Sequence, residues 1–375
     1  MTPASREICD YLLNGILKGE FSVNGELPTE VALARTFKVS RMSAHFAVKT
    51  LEQHGVVRRR KRSGTVVARH PSAPLARQIR SVVTRRVHVV SSFELPVRLH
   101  WNESTLREIE TFLNDQGYVV THLQPPSPLT RETLRDQLKA VGEEGSAALV
   151  LMPTGAESEF LQANADLIFQ YHRNAYLFDR GDTPVEKWPF NVLSLDPFAE
   201  GVLAGEYLEA LGYRRVAFWE PQAYPRYWSE QRFRGLQLGI QRASEAQRTP
   251  QQWFHADEGG PAEVCRRMRE SREHWAIATP NDHHAAALLD HARTVGLEAP
   301  RDFGLIGFDD DPRFRAYNLT TVAPPTERIG RELARLVCRK SDDVRDPSVF
   351  VVKVPSHLVV RGTCRVPAPA PAGAK

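Results

Sequence analysis

The stretch Leu27–Val66, LPTEVALARTFKVSRMSAHFAVKTLEQHGVVRRRKRSGTV, decides how the rest of the chain is read. Val31, Leu33, Ala34 and Phe37 form a short apolar helix pattern that runs into a turn at Lys38-Val39. Ser40 is placed to cap a second helix, whose apolar positions Ala44, Ala47, Val48 and Leu51 recur at spacings of three and four. Gly55 ends that helix, because glycine accepts the left-handed backbone a helix exit needs. The β-branched pairs Val56-Val57 and Thr65-Val66 then flank Arg58-Arg59-Arg60-Lys61-Arg62-Ser63-Gly64, which predicts a hairpin with a cationic tip. Two helices joined by a tight turn and followed by a basic hairpin describe a winged helix-turn-helix. Its second helix suits a DNA major groove, and its wing suits phosphates or the adjoining minor groove.

Charge is distributed to match. Of the 49 Lys/Arg and 45 Asp/Glu, residues 1–86 hold 16 and 6, a local excess of +10 within a net charge of +4. A polyanionic partner is therefore expected for the amino-terminal part alone, with an affinity that falls as salt rises. Before the quoted stretch, Ile8, Leu12, Leu13, Ile16 and Leu17 mark an amphipathic first helix that packs behind the reading pair. After it, His70–Arg86 mixes Pro, Ala, Ser and Arg and reads as a linker, partly helical or ordered on DNA. The domain boundaries expected are 1–70 for the winged helix, 71–86 for the linker, 87–365 for a two-lobed body and 366–375 for a disordered Pro/Ala tail.

Over the head the chain resembles the GntR family of bacterial transcription regulators. The likeness rests on Gly25-Glu26-Leu27-Pro28-Thr29-Glu30, Leu33-Ala34, Val39-Ser40-Arg41, Leu51-Glu52, Gly55-Val56-Val57 and Gly64. Val31 and His45 depart from it, standing where the family places arginines that touch DNA. The DNA-facing candidates are Thr29, Glu30, Ser40, Arg41, Ser43, His45, Lys49, Arg60, Lys61, Arg62 and Gly64, with Arg41 the first choice for a base contact.

From Val87 onward short apolar runs alternate with amphipathic ones. Strands are expected at 87–91, 118–123, 147–152, 175–179, 192–196, 215–219, 253–256, 275–279 and 304–309. Helices are expected at 105–115, 130–141, 198–211, 232–243, 262–268 and 282–295. That alternation means an α/β body with parallel sheets, divided into two lobes near Leu193–Pro197. Ligands of such sheets sit beyond the carboxyl ends of the strands. A cleft would then draw on 91–102, 178–180, 221–232, 279–282 and 308–310.

Here a second resemblance enters, to the ligand-binding domain of the LacI/GalR family. It is carried by Ser194-Leu195-Asp196 with Gly201 and Ala204-Gly205, Arg232-Phe233-Arg234-Gly235, Asn281-Asp282, Ile306-Gly307-Phe308-Asp309-Asp310 and Leu358-Val359-Val360-Arg361. The resemblance implies two lobes like those of periplasmic sugar-binding proteins, a side-by-side dimer, and a GntR-type head on a LacI-type body as among arabinose-operon repressors. Arg232 and Asp282 match positions that grip ligand, with Asp179 in the first lobe and Arg226 and Trp101 beside them. A polyol suits such groups, since a guanidinium offers a fork of donors and a carboxylate accepts from two hydroxyls. Asp282 read alone could simply cap the helix that follows. Asp309-Asp310-Asp311 reads either as a cation site or as loop and cap residues.

The expected function is a cytoplasmic, ligand-responsive DNA-binding regulator, a repressor of sugar utilisation acting on double-stranded operator DNA as a homodimer. The alternative is a solute-binding protein for transport of a small sugar, against which stand the basic head and the lack of an export signal. No cofactor or membrane partner is expected. No GxGxxG, P-loop or GxSxG occurs, and His283-His284 lacks a third ligand at metal spacing, so neither an enzyme nor a metal site is expected. Cys9, Cys265, Cys338 and Cys364 are scattered without a CxxC pair, which fits reduced thiols.

Overall fold

The computed structural model describes residues 3–60, 64–91, 100–153, 155–172, 174–179, 181, 184, 188, 191–221, 226–243, 251–254, 260–271, 273–342 and 351–365. The expected Lys61 and Arg62 at the wing tip, the cleft segments 92–99 and 222–225, Arg180, residues 255–256 and the tail 366–375 lie outside them.

The head holds α1 (Pro3–Leu17), α2 (Glu30–Thr36), α3 (Arg41–Gln53), β1 (Val57–Arg60) and β2 (Gly64–Val67). Ser40 caps α3 through a bond from the Ser43 amide at 3.2 Å, and Gly55 takes a φ of +67° just beyond it. The wing strands pair antiparallel, with Val57 opposite Val67 and Arg60 opposite Gly64. Ile8, Leu12, Leu13 and Ile16 of α1 close the core over Leu33, Ala44, Ala47, Val48 and Leu51. Val31, expected among the apolar positions of α2, instead faces outward.

Residues read from sequence as a linker form a regular helix, α4 (Ala73–Thr84). Ser72 caps it through the Leu75 amide, and a proline in the first turn costs nothing there because that amide needs no partner. Ile79 and Leu75 pack into the head core. Arg80, next along, donates to Asn14 Oδ1 at 2.6 Å in the head and to the Glu143 carbonyl at 2.9 Å in the body.

The body continues through β3 (Arg86–Ser91), α5 (His100–Asp115), β4 (Val119–Leu123), α6 (Arg131–Glu144), β5 (Ser146–Met152), α7 (Gly155–Ala163), α8 (Ala165–Tyr171), β6 (Ala175–Asp179) and β7 (Asn191–Leu195). It then runs through α9 (Pro197–Ala210), β8 (Arg215–Glu220), α10 (Tyr227–Ala243), β9 (Gln251–Phe254), α11 (Gly260–Ser271), β10 (Trp275–Ala278), α12 (Asp282–Thr294), β11 (Gly304–Phe308) and β12 (Thr320–Ala323). Last come α13 (Thr326–Asp342), β13 (Val351–Val354) and β14 (His357–Val359). Two sheets result, ordered β13-β7-β6-β5-β3-β4 and β14-β12-β11-β10-β8-β9. All pairings are parallel except β14 with β12.

The chain passes between lobes after β7, where the sequence placed the break, and twice more. After β12 it returns to the first lobe as α13, whose Ile329, Leu333, Ala334 and Val337 enter that lobe's core, and between β13 and β14 it crosses again. In the second lobe α9 and α10 touch backbone to backbone. A Cβ at Gly235 would stand 2.0 Å from the Phe198 carbonyl oxygen, and one at Gly201 2.0 Å from the Arg232 carbonyl oxygen. Gly205 and Gly239 repeat the contact one turn further on.

Candidate functional site

Two regions hold the expected residues that the structure brings together. On the head, α3 buries Ala44, Ala47, Val48 and Leu51, so helical geometry turns Arg41, Met42, Phe46 and Lys49 outward. Beside them the wing strand exposes Arg58, Arg59 and Arg60. Glu30, opening α2, ties the two elements together. Its carboxylate meets His45 Nδ1 and Arg59 Nη2, each at 3.0 Å, and lies 3.8 Å from Arg41 Nε. Thr29 and Ser40 are helix caps, the former accepting from the Ala32 amide at 3.1 Å, and Ser43 is bonded to Ser40. Gly64 begins β2 with a φ of +77°, which a side chain would strain.

In the body, Arg232 is the centre of a buried ionic knot. Its Nε donates to Glu200 at 2.8 Å, Nη1 to the Pro280 carbonyl at 2.6 Å and Nη2 to Asp309 at 3.1 Å. The guanidinium also lies over Trp228 at 5.1 Å and Phe308 at 4.6 Å. Burial alone would lower its pKa, but Glu200 and Asp309 outweigh that and raise it. Glu200 in turn accepts from Ser356 at 2.7 Å, a residue between β13 and β14 where the chain crosses between lobes. At the first crossing Lys353 stands 3.2 Å from Asp196.

Asp309 and Asp310 follow β11 with successive φ values of +107° and +49°, in the left-handed region that residues with side chains adopt uncommonly. The three aspartates each meet a different arginine: Asp309 with Arg232, Asp310 with Arg361 at 2.6 Å, and Asp311 with Arg313. Among the described residues no group of His, Cys, Asp and Glu could hold a metal ion.

An open pocket of about 450 Å³, counting solvent at its mouth, lies against the knot. Glu220, Arg226, Trp228, Ser229, Pro280, Asn281 and His284 line it, from the ends of β8 and β10 and the starts of α10 and α12. Ser229 donates to Glu220. His284 is pushed down to about 4 by burial, with His283 adding to it, so the ring is neutral at pH 7.

Of the expected body residues, Arg226 lines this pocket, while Arg232, 5% exposed and engaged by Glu200, Pro280 and Asp309, does not. Asp282 does not line it either. It is 2% exposed, with one oxygen taking the Asp311 amide at 2.9 Å and the other the Thr321 hydroxyl at 2.7 Å. It stands behind the wall, and burial first, then Asp309, pushes it up to about 8. It is not the helix cap either, since Asn281 accepts from the His284 amide. Asp179 is also sealed, held by the Gly181 amide at 3.0 Å and the Ser194 hydroxyl at 3.2 Å near the first crossing. Trp101 lies in α5, but its side chain is outside the described residues. Sequence reasoning missed Glu200, one of three glutamates on α9 and the one that is buried, and undervalued Asp309, whose backbone turn has no local signal.

A winged helix at the amino end of a two-lobed, parallel-sheet body defines a class of regulator architecture. Residues 4–67 match the family model for bacterial regulatory proteins of the gntR family, and 206–364 that for a periplasmic binding protein-like domain. The chain therefore joins a GntR-family head to a periplasmic-binding-protein-like body. It is similar, at 25% identity over 97% of its length and 98% of the relative's, to the arabinose metabolism transcriptional repressor of Geobacillus stearothermophilus. In fold it is similar to a lac repressor dimer bound to operator and the anti-inducer ONPF, with TM-score 0.57, 18% identity, and 79% of this chain and 100% of that one covered. A LacI family regulator from Enterococcus faecium with bound ribose gives TM-score 0.54 at 18% identity, covering 76% and 100%.

Proposed function

We propose that this chain is a DNA-binding transcriptional repressor of a sugar-utilisation operon, controlled by a small sugar bound between its lobes and acting in the cytoplasm as a homodimer. One observation carries the proposal. The outward face of α3 and the strand β1 form one cationic surface braced by Glu30, while the second lobe holds a polar pocket beside the Arg232 knot. Among the described residues no helix is long and apolar enough to cross a membrane.

Arg41 and His45 enter the major groove, and Lys49 with Arg58–Arg60 meets phosphates. In the body, Asp309 takes the ligand-facing role expected of Asp282, with Arg226, Asn281 and the face of Trp228 around it. Asp282 positions the strained Asp309–Asp311 turn from behind. An uncharged sugar suits this wall better than an anion, since Arg232 already serves two carboxylates and Glu220 adds a third. Ligand that pulls on Asp309 pulls on Arg232, Glu200 and Ser356 in turn, and so biases the lobe crossing. The effector's control of DNA binding equals its difference in affinity between the two lobe arrangements.

The test is fluorescence anisotropy of the purified protein on a duplex from its own promoter region, over a salt series, with and without arabinose, ribose and their phosphates. Salt-sensitive binding that a neutral sugar alters is expected. Salt-insensitive binding, or none, would overturn the DNA reading. A response only to the phosphates would overturn the neutral-ligand reading.

A further inference from the structure

The recognition helix carries more than cations. Met42 is 59% exposed and Phe46 45%, one helical turn apart, in register with Arg41 and His45. Neither belongs to the head core, which is closed by Ala44, Ala47, Val48 and Leu51 from the opposite face of the same helix. Phe46 touches the edge of the His45 ring at a centroid distance of 6.0 Å. Two large apolar side chains standing in water on a helix that needs neither for folding call for a covering surface.

Charge identifies that surface. Arg41 and Lys49 lie on the same exposed face of α3, and Arg58, Arg59 and Arg60 flank it on β1. A protein partner with an apolar groove would have to bury these cations beside Met42 and Phe46, whereas a nucleic-acid duplex offers phosphates to them. Inside the major groove the apolar group within reach is the thymine 5-methyl.

We propose that Met42 and Phe46 read thymine 5-methyl groups in the operator, and so set a preference for A·T pairs at positions flanking the Arg41 contact. This rests on the DNA-binding reading above. It adds a part of the specificity that hydrogen bonds cannot supply, because removing a methyl leaves every donor and acceptor of the pair in place.

The experiment uses the full-length protein to select duplexes from a random pool, then rebuilds the selected site with deoxyuridine replacing thymidine one position at a time. Burial of one methyl predicts about a four-fold loss of affinity at each contacted thymine. Phe46→Ala and Met42→Ala should each bind the parent site more weakly and become indifferent to deoxyuridine at their own position. Circular dichroism checks that each variant folds. Selected sites without thymine, or wild-type binding unchanged by every deoxyuridine, overturn the proposal. So does a variant that keeps the full methyl effect, or that changes oligomeric state while keeping it, which would mark the patch as a protein contact. Failure to select any duplex overturns the DNA-binding reading itself; selection with indifference to the methyls overturns this inference alone.

Discussion

Gly235→Ala tests whether the close approach of α9 and α10 is what holds the Arg232 knot together. The added Cβ would stand 2.0 Å from the Phe198 carbonyl oxygen and 2.9 Å from the Val202 amide nitrogen, both backbone atoms that no rotamer change can move. Reaching an ordinary contact of 3.4 Å requires the helices to part locally by about 1.4 Å. Overpacking of that kind costs about 3 kcal/mol at the upper end, and the gain in helix propensity from Gly to Ala returns about 1. A net loss of about 2 kcal/mol corresponds to a melting temperature lower by roughly 4–8 °C for a unit of this size. The functional effect follows from position. Glu200 precedes Gly201 on α9 and Arg232 lies one turn before Gly235 on α10, so the same separation stretches their 2.8 Å bond past hydrogen-bond reach. Differential scanning fluorimetry and effector titration should therefore show lowered stability and a weakened effector response, with DNA binding in the absence of effector retained. Gly239→Ala meets the Val202 carbonyl oxygen at 2.3 Å, two turns from Arg232, and should cost similar stability with a smaller loss of response. A Gly235→Ala protein that melts within a degree of wild type and keeps its effector midpoint would refute the reasoning.

Other expectations concern single groups. Arg41→Ala should weaken operator binding by ~1–3 kcal/mol and relax one base position, read by binding to a set of operator variants; equal loss on every variant would make Arg41 a phosphate contact. Glu30→Gln should keep the α2 fold but release Arg59 and His45, widening base tolerance in a selection experiment; an unchanged selected sequence would show that the brace does not position them. Asp282 binds its proton more tightly folded than unfolded, so between its ordinary range and about pH 8 the folded state holds the extra proton and stability falls as pH rises. Asp282→Asn should flatten that fall in urea titrations at pH 5 and pH 8. An unaltered pH slope would show that Asp282 ionises freely.

Much of this was legible because it is local. Ser40, Gly55 and the spacing of Ala44, Ala47, Val48 and Leu51 describe α3 without reference to anything distant, and each strand–helix pair of the body carries its own period. Segments assembled from afar were not. β13 and β14 are short runs split by Pro355 and Ser356, and each completes a sheet whose neighbouring strand lies far back along the chain. The 73–84 segment, read as a partly helical linker, is one regular helix, and Ser72 and Pro74 are the cap and first-turn residues a helix start favours. The placements of Asp282 and Asp309 could not be told apart by type, since both are carboxylates just past a strand. What separates them is a left-handed backbone at Asp309 that turns one acid toward Arg232, while Asp282 is closed under Thr321 and the Asp311 amide.

The helix α4 has a mechanical consequence. Ile79 is packed into the head and its neighbour Arg80 bonds both Asn14 and the Glu143 carbonyl, so α4 ties the head to the first lobe. In a paired assembly the two reading helices would then act like the tips of callipers whose arms are the first lobes. A small rotation at the lobe crossing would be magnified along the arm into a mismatch with the pitch of DNA, and no loosening of the joint would be needed to let go.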